Sequence, residues 1–102
     1  MNLTNNLTEI QHICINVSDI KKNSNWYLTS FECELVSESN FHATLRFKNI
    51  FLTLTLPSYE RGHIGFVKND AAAFGELADN LEGGLSTAIS DPTGNMVEIV
   101  KI

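Results

Sequence analysis

Among its 102 residues the chain has only two cysteines and two prolines, and seven Lys plus Arg stand against twelve Asp plus Glu. Each scarcity removes a class of protein. Cys14 and Cys33 are too few for a disulfide scaffold and read as reduced thiols. A net charge of −5, with Lys21-Lys22 the only adjacent basic pair, excludes a phosphate-neutralising surface, so no nucleic-acid partner is expected. Apolar runs stop at four residues, far short of the roughly 18 that span a bilayer, so no membrane partner is expected either. Residues 1–8 (MNLTNNLT) carry no basic residue and no apolar stretch of signal-peptide length, which predicts a cytoplasmic protein. The Asn-x-Ser/Thr triplets at Asn2, Asn6 and Asn16 are then chance matches rather than glycosylation sites. What remains is enough for one soluble domain, 1–102, with a radius of gyration of about 13 Å.

The chain resembles itself at half its length. His12-Ile13-Cys14-Ile15-Asn16-Val17-Ser18-Asp19 aligns with His63-Ile64-Gly65-Phe66-Val67-Lys68-Asn69-Asp70 at an offset of 51. In the first copy, residues 10–17 are rich in β-branched side chains and predict a strand, and Ser18 or Asp19 caps a following helix with Ile20, Tyr27, Leu28 and Phe31 near one face. Strands are predicted over 34–37, 41–47 and 50–56, with Lys48-Asn49 turning between the last two. Residues 57–62 form a short linker. The second copy predicts a strand over 63–67 and a helix capped by Asn69 or Asp70, striped by Ala73, Phe74, Leu77, Ala78 and Leu81 and ended by Gly83-Gly84. Strands over 86–90 and 96–102 follow, joined by Asp91-Pro92-Thr93-Gly94 with Pro and Gly at their favoured turn positions. Aligning Thr53 with Glu98 takes an offset of 45, so about six residues are missing from the second copy, and the strand after its helix is expected to be absent.

Strand parity places candidate chemistry on one face. Ile13, Ile15 and Val17 point one way, toward the helix, and His12, Cys14 and Asn16 the other. Ile64 and Phe66, like Val97 and Ile99, take the helix side, leaving His63 and Glu98 opposite. Two imidazoles and a carboxylate on one concave face are the donors that hold a divalent ion with positions left open. The competing assignments are a hydrogen-bonded structural His, and Glu98 paired with Arg46 or Lys101. Trp26 and Phe51 are candidates for pocket or core, and His42 and Tyr59 for acid-base groups near the site.

Tandem βαβββ modules, about 8–57 and 62–102, with His-Ile opening each and Asp91-Pro92-Thr93-Gly94-Asn95-Met96-Val97-Glu98 near the end, resemble the vicinal oxygen chelate superfamily. This is the glyoxalase, bleomycin-resistance and extradiol-dioxygenase group. The resemblance covers residues 10–102 and implies an α+β fold with the second module shortened by about one strand. It further implies metal ligation by His12, His63 and Glu98, a catalytic role for Glu98, and substrate contacts from Thr53, Phe51 and Cys14. The cofactor would be a divalent metal (Fe, Mn, Ni or Zn, which the residues do not distinguish) and the activity a dioxygenase-like, lyase or isomerase, or antibiotic-modifying reaction on a small substrate. The alternatives are a metal-free binding protein of the bleomycin-resistance kind and a non-catalytic ligand-binding domain. In glyoxalase-type relatives a carboxylate takes the place of Thr53, so that activity is disfavoured. Relatives also imply a homodimer, with modules exchanged between chains as one form of it.

Overall fold

The computed structural model describes residues 7–80 and 83–102. The triplets at Asn2 and Asn6, the helix-stripe residue Leu81 and the rest of 1–6 and 81–82 lie outside the described residues. The described residues form one mixed sheet of eight strands: β1 (Glu9–Asn16), β2 (Glu34–Glu38), β3 (His42–Arg46), β4 (Phe51–Thr55), β5 (His63–Lys68), β6 (Ala78–Asp79), β7 (Leu85–Ser90) and β8 (Met96–Lys101). Among the described residues a single α-helix, α1 (Ile20–Ser30), joins β1 to β2. The sheet order is β2-β3-β4-β1-β5-β8-β7-β6. Outward from the antiparallel β1/β5 seam, each side meets its fourth strand in parallel, then its third and second antiparallel. This is the α+β architecture anticipated from the sequence.

The first half follows local chemistry closely. Asp19 has extended backbone and its carboxylate accepts from the Lys22 amide at 2.9 Å, satisfying one of the orphan donors of α1. The helix buries Ile20 and Ser24, and Ile20 packs with Ala43, Leu45 and Leu54 into the core, flanked by Ile15, Tyr27, Leu28 and Leu52. Trp26 belongs to neither core nor pocket: it is 55% exposed, in edge contact with Tyr27 and Phe31.

The second half corrects the expected helix. A single 3-10 turn, Ala71–Ala73, stands where a longer helix was anticipated. Asp70 has backbone angles of −100° and 32° and makes no side-chain capping bond. Gly75 follows at once, pressed so closely on Thr87 of β7 that a Cβ there would collide with its hydroxyl. The apolar spacing of Ala73, Phe74, Leu77 and Ala78 is therefore accidental, and Ala78 enters β6 instead. The strand expected to be missing survives as that two-residue pairing with Leu85 and Ser86. Gly83, at φ 83°, and Gly84 serve the β6–β7 turn rather than a helix end. The radius of gyration is 14.4 Å, a little above the roughly 13 Å expected for this length.

Candidate metal centre

The two central strands bring His12 and His63 to the same face, and β8 adds Glu98 beside them. In register, His12 lies opposite Gly65 on β5, and Gly65 lies beside Glu98 on β8. The imidazole of His12 thus crosses a strand position that has no side chain. A Cβ at residue 65 would come within 2.1 Å of the His12 ring. Glycine inside a strand weakens it and is kept where something must approach the backbone.

Three donor atoms converge over this gap. The Nε2 atoms of His12 and His63 are 3.0 Å apart, and Glu98 Oε1 is 3.0 Å from the first and 3.2 Å from the second. All three residues are buried, at 4%, 7% and 8% exposure. Each is fixed from behind: His63 Nδ1 donates to the Arg61 carbonyl at 2.7 Å, and His12 Nδ1 to Gln11 Oε1 at 2.9 Å. The Ser86 hydroxyl donates to Glu98 Oε2 at 2.6 Å. With both Nδ1 protons committed, each neutral imidazole presents its Nε2 lone pair to the same point as the carboxylate oxygen. Such a triangle of electron-rich atoms needs positive charge within it.

In the metal-free chain that charge is a proton. Burial works against a charged His63, yet hydrogen bonds with Cys14, Glu98 and the Arg61 carbonyl push it up to about 10. Burial likewise works against ionised Glu98, but bonds from His12, His63 and Ser86 hold it well below the usual carboxylate range. A divalent ion fits the same triangle. Neighbouring ligands of an octahedral ion with bonds of about 2.1 Å are about 3.0 Å apart, which matches its edges. The donor set, two His Nε2 and one carboxylate with outer hydrogen bonds orienting all three, is one able to hold a divalent ion with positions left open.

The remaining residues singled out in the sequence are placed around the triangle. Phe51 and Thr53 of β4 line a cavity of about 350 Å³ with His12, Thr44 and His42. Cys14 is 3% exposed, pairs across the seam with His63, and has its sulfur 3.3 Å from Thr55 Oγ1; it is not part of that cavity's lining. His42 and Tyr59 stack on one another, with Phe41 on the other partner of the stack, and His42 bonds to Ser39 rather than to the triangle. Neither basic residue weighed as a partner for Glu98 reaches it: Arg46 pairs with Glu34, and Lys101 Nζ donates to the Asn69 carbonyl. Gln11, Gly65 and Ser86 were not foreseen. Gly65 was detectable as a glycine inside a strand pattern, whereas Gln11 and Ser86 carry no motif.

No family model matches the chain, and no curated protein matches it. Solved structures do. A hypothetical protein from Bacillus halodurans C-125 superposes with a TM-score of 0.72 at 14% identity, over 93% of this chain and 94% of that one. A glyoxalase/bleomycin resistance protein/dioxygenase superfamily member from Vibrio splendidus 12B01 gives 0.65 at 11% identity, over 94% and 100%. A hypothetical protein from Staphylococcus aureus gives 0.66 at 11% identity over 93% of this chain, which spans about a third (34%) of that protein's length. The chain has the glyoxalase/bleomycin resistance/dioxygenase fold.

Proposed function

We propose that the protein is a divalent-metal-dependent enzyme of the vicinal oxygen chelate type, acting on a small molecule through two neighbouring oxygens. The observation that carries this reading is the triangle of His12 Nε2, His63 Nε2 and Glu98 Oε1 with 3.0 to 3.2 Å edges. A bound ion supplies Lewis-acid stabilisation to the anion formed on such a substrate. The chain supplies the rest. Arg61 and Gln11 hold each imidazole with Nε2 facing inward, and Ser86 keeps Glu98 Oε1 on the same point. Phe51 and Thr53 line the adjoining cavity, where an apolar wall and a hydroxyl orient the substrate. Glu98 is the carboxylate beside the reacting atoms. Thr53 offers only a neutral hydroxyl and is not itself a second anionic ligand, and the reaction class is dioxygenase-like, lyase or isomerase, or antibiotic-modifying. All three ligands come from one chain, so exchange of modules is not needed to complete the set. A homodimer remains part of this reading, supported by the edge strand β2, on which Leu35 and Val36 are 43% and 54% exposed.

A second reading, a metal-free protein that sequesters a small molecule, is favoured by one observation: Glu98 Oε1 lies 3.0 and 3.2 Å from the two imidazole Nε2 atoms, within reach of direct hydrogen bonds that need no ion. Elemental analysis after reconstitution and desalting separates the two. The enzyme reading expects one divalent ion per chain at micromolar concentration, lost in His12→Ala, His63→Ala and Glu98→Ala. Wild-type protein that retains no ion would leave only the binding reading.

A further inference from the structure

The register of the sheet sets Glu98 against a place in the first half that carries no carboxylate. Cys14 and Gly65 each lie two residues beyond the His of their half. Across the parallel pairs, Cys14 lies beside Thr53 and Gly65 beside Glu98. Thr53 and Glu98 therefore occupy corresponding places, but one offers a hydroxyl and the other a carboxylate. A hydroxyl stays neutral, so two imidazoles and one carboxylate leave a divalent centre with a net charge of +1. Hard cations are held by carboxylates far better than by hydroxyls.

A second carboxylate lies beside the triangle, on the linker between β4 and β5. Glu60 Oε1 is 3.9 Å from His63 Nε2, and the Glu60 side chain is three-quarters covered. It shares with Glu98 an open cavity of about 490 Å³ on the side of the triangle away from Phe51. The backbone beneath Glu60 is pinned at the carboxyl ends of β1 and β4. The Glu60 carbonyl accepts from Asn16 Nδ2 at 2.8 Å and from Thr55 Oγ1 at 3.2 Å, and its amide donates to the Leu56 carbonyl at 3.2 Å. Asn16 Oδ1 then accepts from the Gly62 amide at 3.2 Å, holding the segment at a second point. The linker backbone is thus held beside the site, with the Glu60 carboxylate 3.9 Å from His63 Nε2.

We propose that Glu60 completes the metal centre as its second carboxylate ligand, entering from the linker in place of the ligand that Thr53 cannot supply. This rests on the metal reading above. Titration of chelator-treated protein with cobalt(II), followed by calorimetry and by the visible absorption of the bound ion, tests both in distinguishable ways. Glu60→Gln keeps the size of the side chain and is expected to weaken cobalt(II) binding at least about 10-fold and to change the visible spectrum. Glu76→Gln removes the same charge from the same cavity at an exposed position, and is expected to change affinity less than about 3-fold with the spectrum intact. Wild-type affinity and spectrum in Glu60→Gln would overturn the assignment of Glu60 while leaving the three-ligand centre standing. Equal weakening in the two variants with unchanged spectra would also overturn it, since net charge alone would then be responsible. Failure of the wild type to bind cobalt(II) would remove both readings together.

Discussion

The two halves of the sheet share a strand order and differ in what covers them. In the first half a capped helix of 11 residues lies on the outer face, and Ala43, Leu45 and Leu54 beneath it are completely buried. In the second half a three-residue turn buries Ala71 and little else, leaving Ile64, Phe74 and Leu85 about 40% exposed. Yet two of the three candidate ligands, His63 and Glu98, belong to the thinly covered half, and both are over 90% buried. Fold stability and the site thus draw on different layers. The outer layer supplies apolar burial, more of it from the first half, where Ile20, Ala43, Leu45 and Leu54 are buried, than from the second, where Ala71 and Ile99 are. The inner face supplies the site through the β1/β5 seam, which needs no helix behind it.

The largest effect that can break this comparison is a truncation in the covered half. Leu45→Ala removes a completely buried side chain between α1 and the sheet, and should cost about 3 kcal/mol in urea unfolding. Leu85→Ala makes the same change on a 41% exposed strand residue of the other half and should cost less than about 1 kcal/mol. Equal costs would show that the second half carries stability that its exposure conceals.

Next comes the seam. Gly65→Ala puts a methyl group where the His12 ring lies, so His12 must leave the triangle, and divalent-ion affinity should fall about 100-fold with a loss of stability near 1 kcal/mol. At the corresponding place in the first half, Cys14→Ala leaves all three donor atoms in position and should change affinity less than about 10-fold. Calorimetric titration of both variants with the same ion compares them directly. Similar losses would mean that the site does not depend on the gap at residue 65.

These differences also explain what could be read from the residues alone. The strands were legible because β-branched side chains alternate along them, and parity then put His12, His63 and Glu98 on one face. The capped start of α1 was legible because Asp19 acts through its own neighbours. The second helix differs because Ala73, Phe74, Leu77 and Ala78 fit a helical period, while the close packing of Gly75 on Thr87, which accompanies the short turn, spans twelve residues of chain and a different strand. Gln11 and Ser86 escaped for a related reason. Their roles are hydrogen bonds to groups whose position only the assembled sheet defines. The Asp91 turn lies at the other extreme, since its carboxylate bonds the Thr93 and Asn95 amides within five residues.

A smaller effect separates the halves by pH. In chelator-treated protein, folding raises His63 from its ordinary 6.5 to about 10, so between those values the folded state holds a proton that the unfolded state has lost. The stabilisation is complete below pH 6.5 and declines as pH rises toward 10. Glu98 runs the other way: its contribution is present above its ordinary 4.5 and is lost as pH falls. Denaturant unfolding should therefore show a plateau between about pH 4.5 and 6.5 with a decline on the alkaline side, no steeper than about 1.4 kcal/mol per pH unit for one proton. Leu45→Ala should lower this curve without changing its shape. A profile flat from pH 6.5 to 10 would mean that the His63 proton does not stabilise the fold.

The smallest expected effect sharpens the comparison most finely. Ile13 and Ile64 are aligned in the two copies and face each other across the seam, but Ile64 is 40% exposed on the face that has no helix. Ile64→Thr keeps a β-branched side chain suited to the strand and exchanges an ethyl group for a hydroxyl that water can reach. The substitution should change stability by no more than about 0.5 kcal/mol and leave divalent-ion affinity unchanged, because residue 64 points away from His63 and Gly65 on either side of it. A loss above about 1.5 kcal/mol would require something to cover this face in solution, and its dependence on protein concentration would say whether that cover is a second copy of the chain.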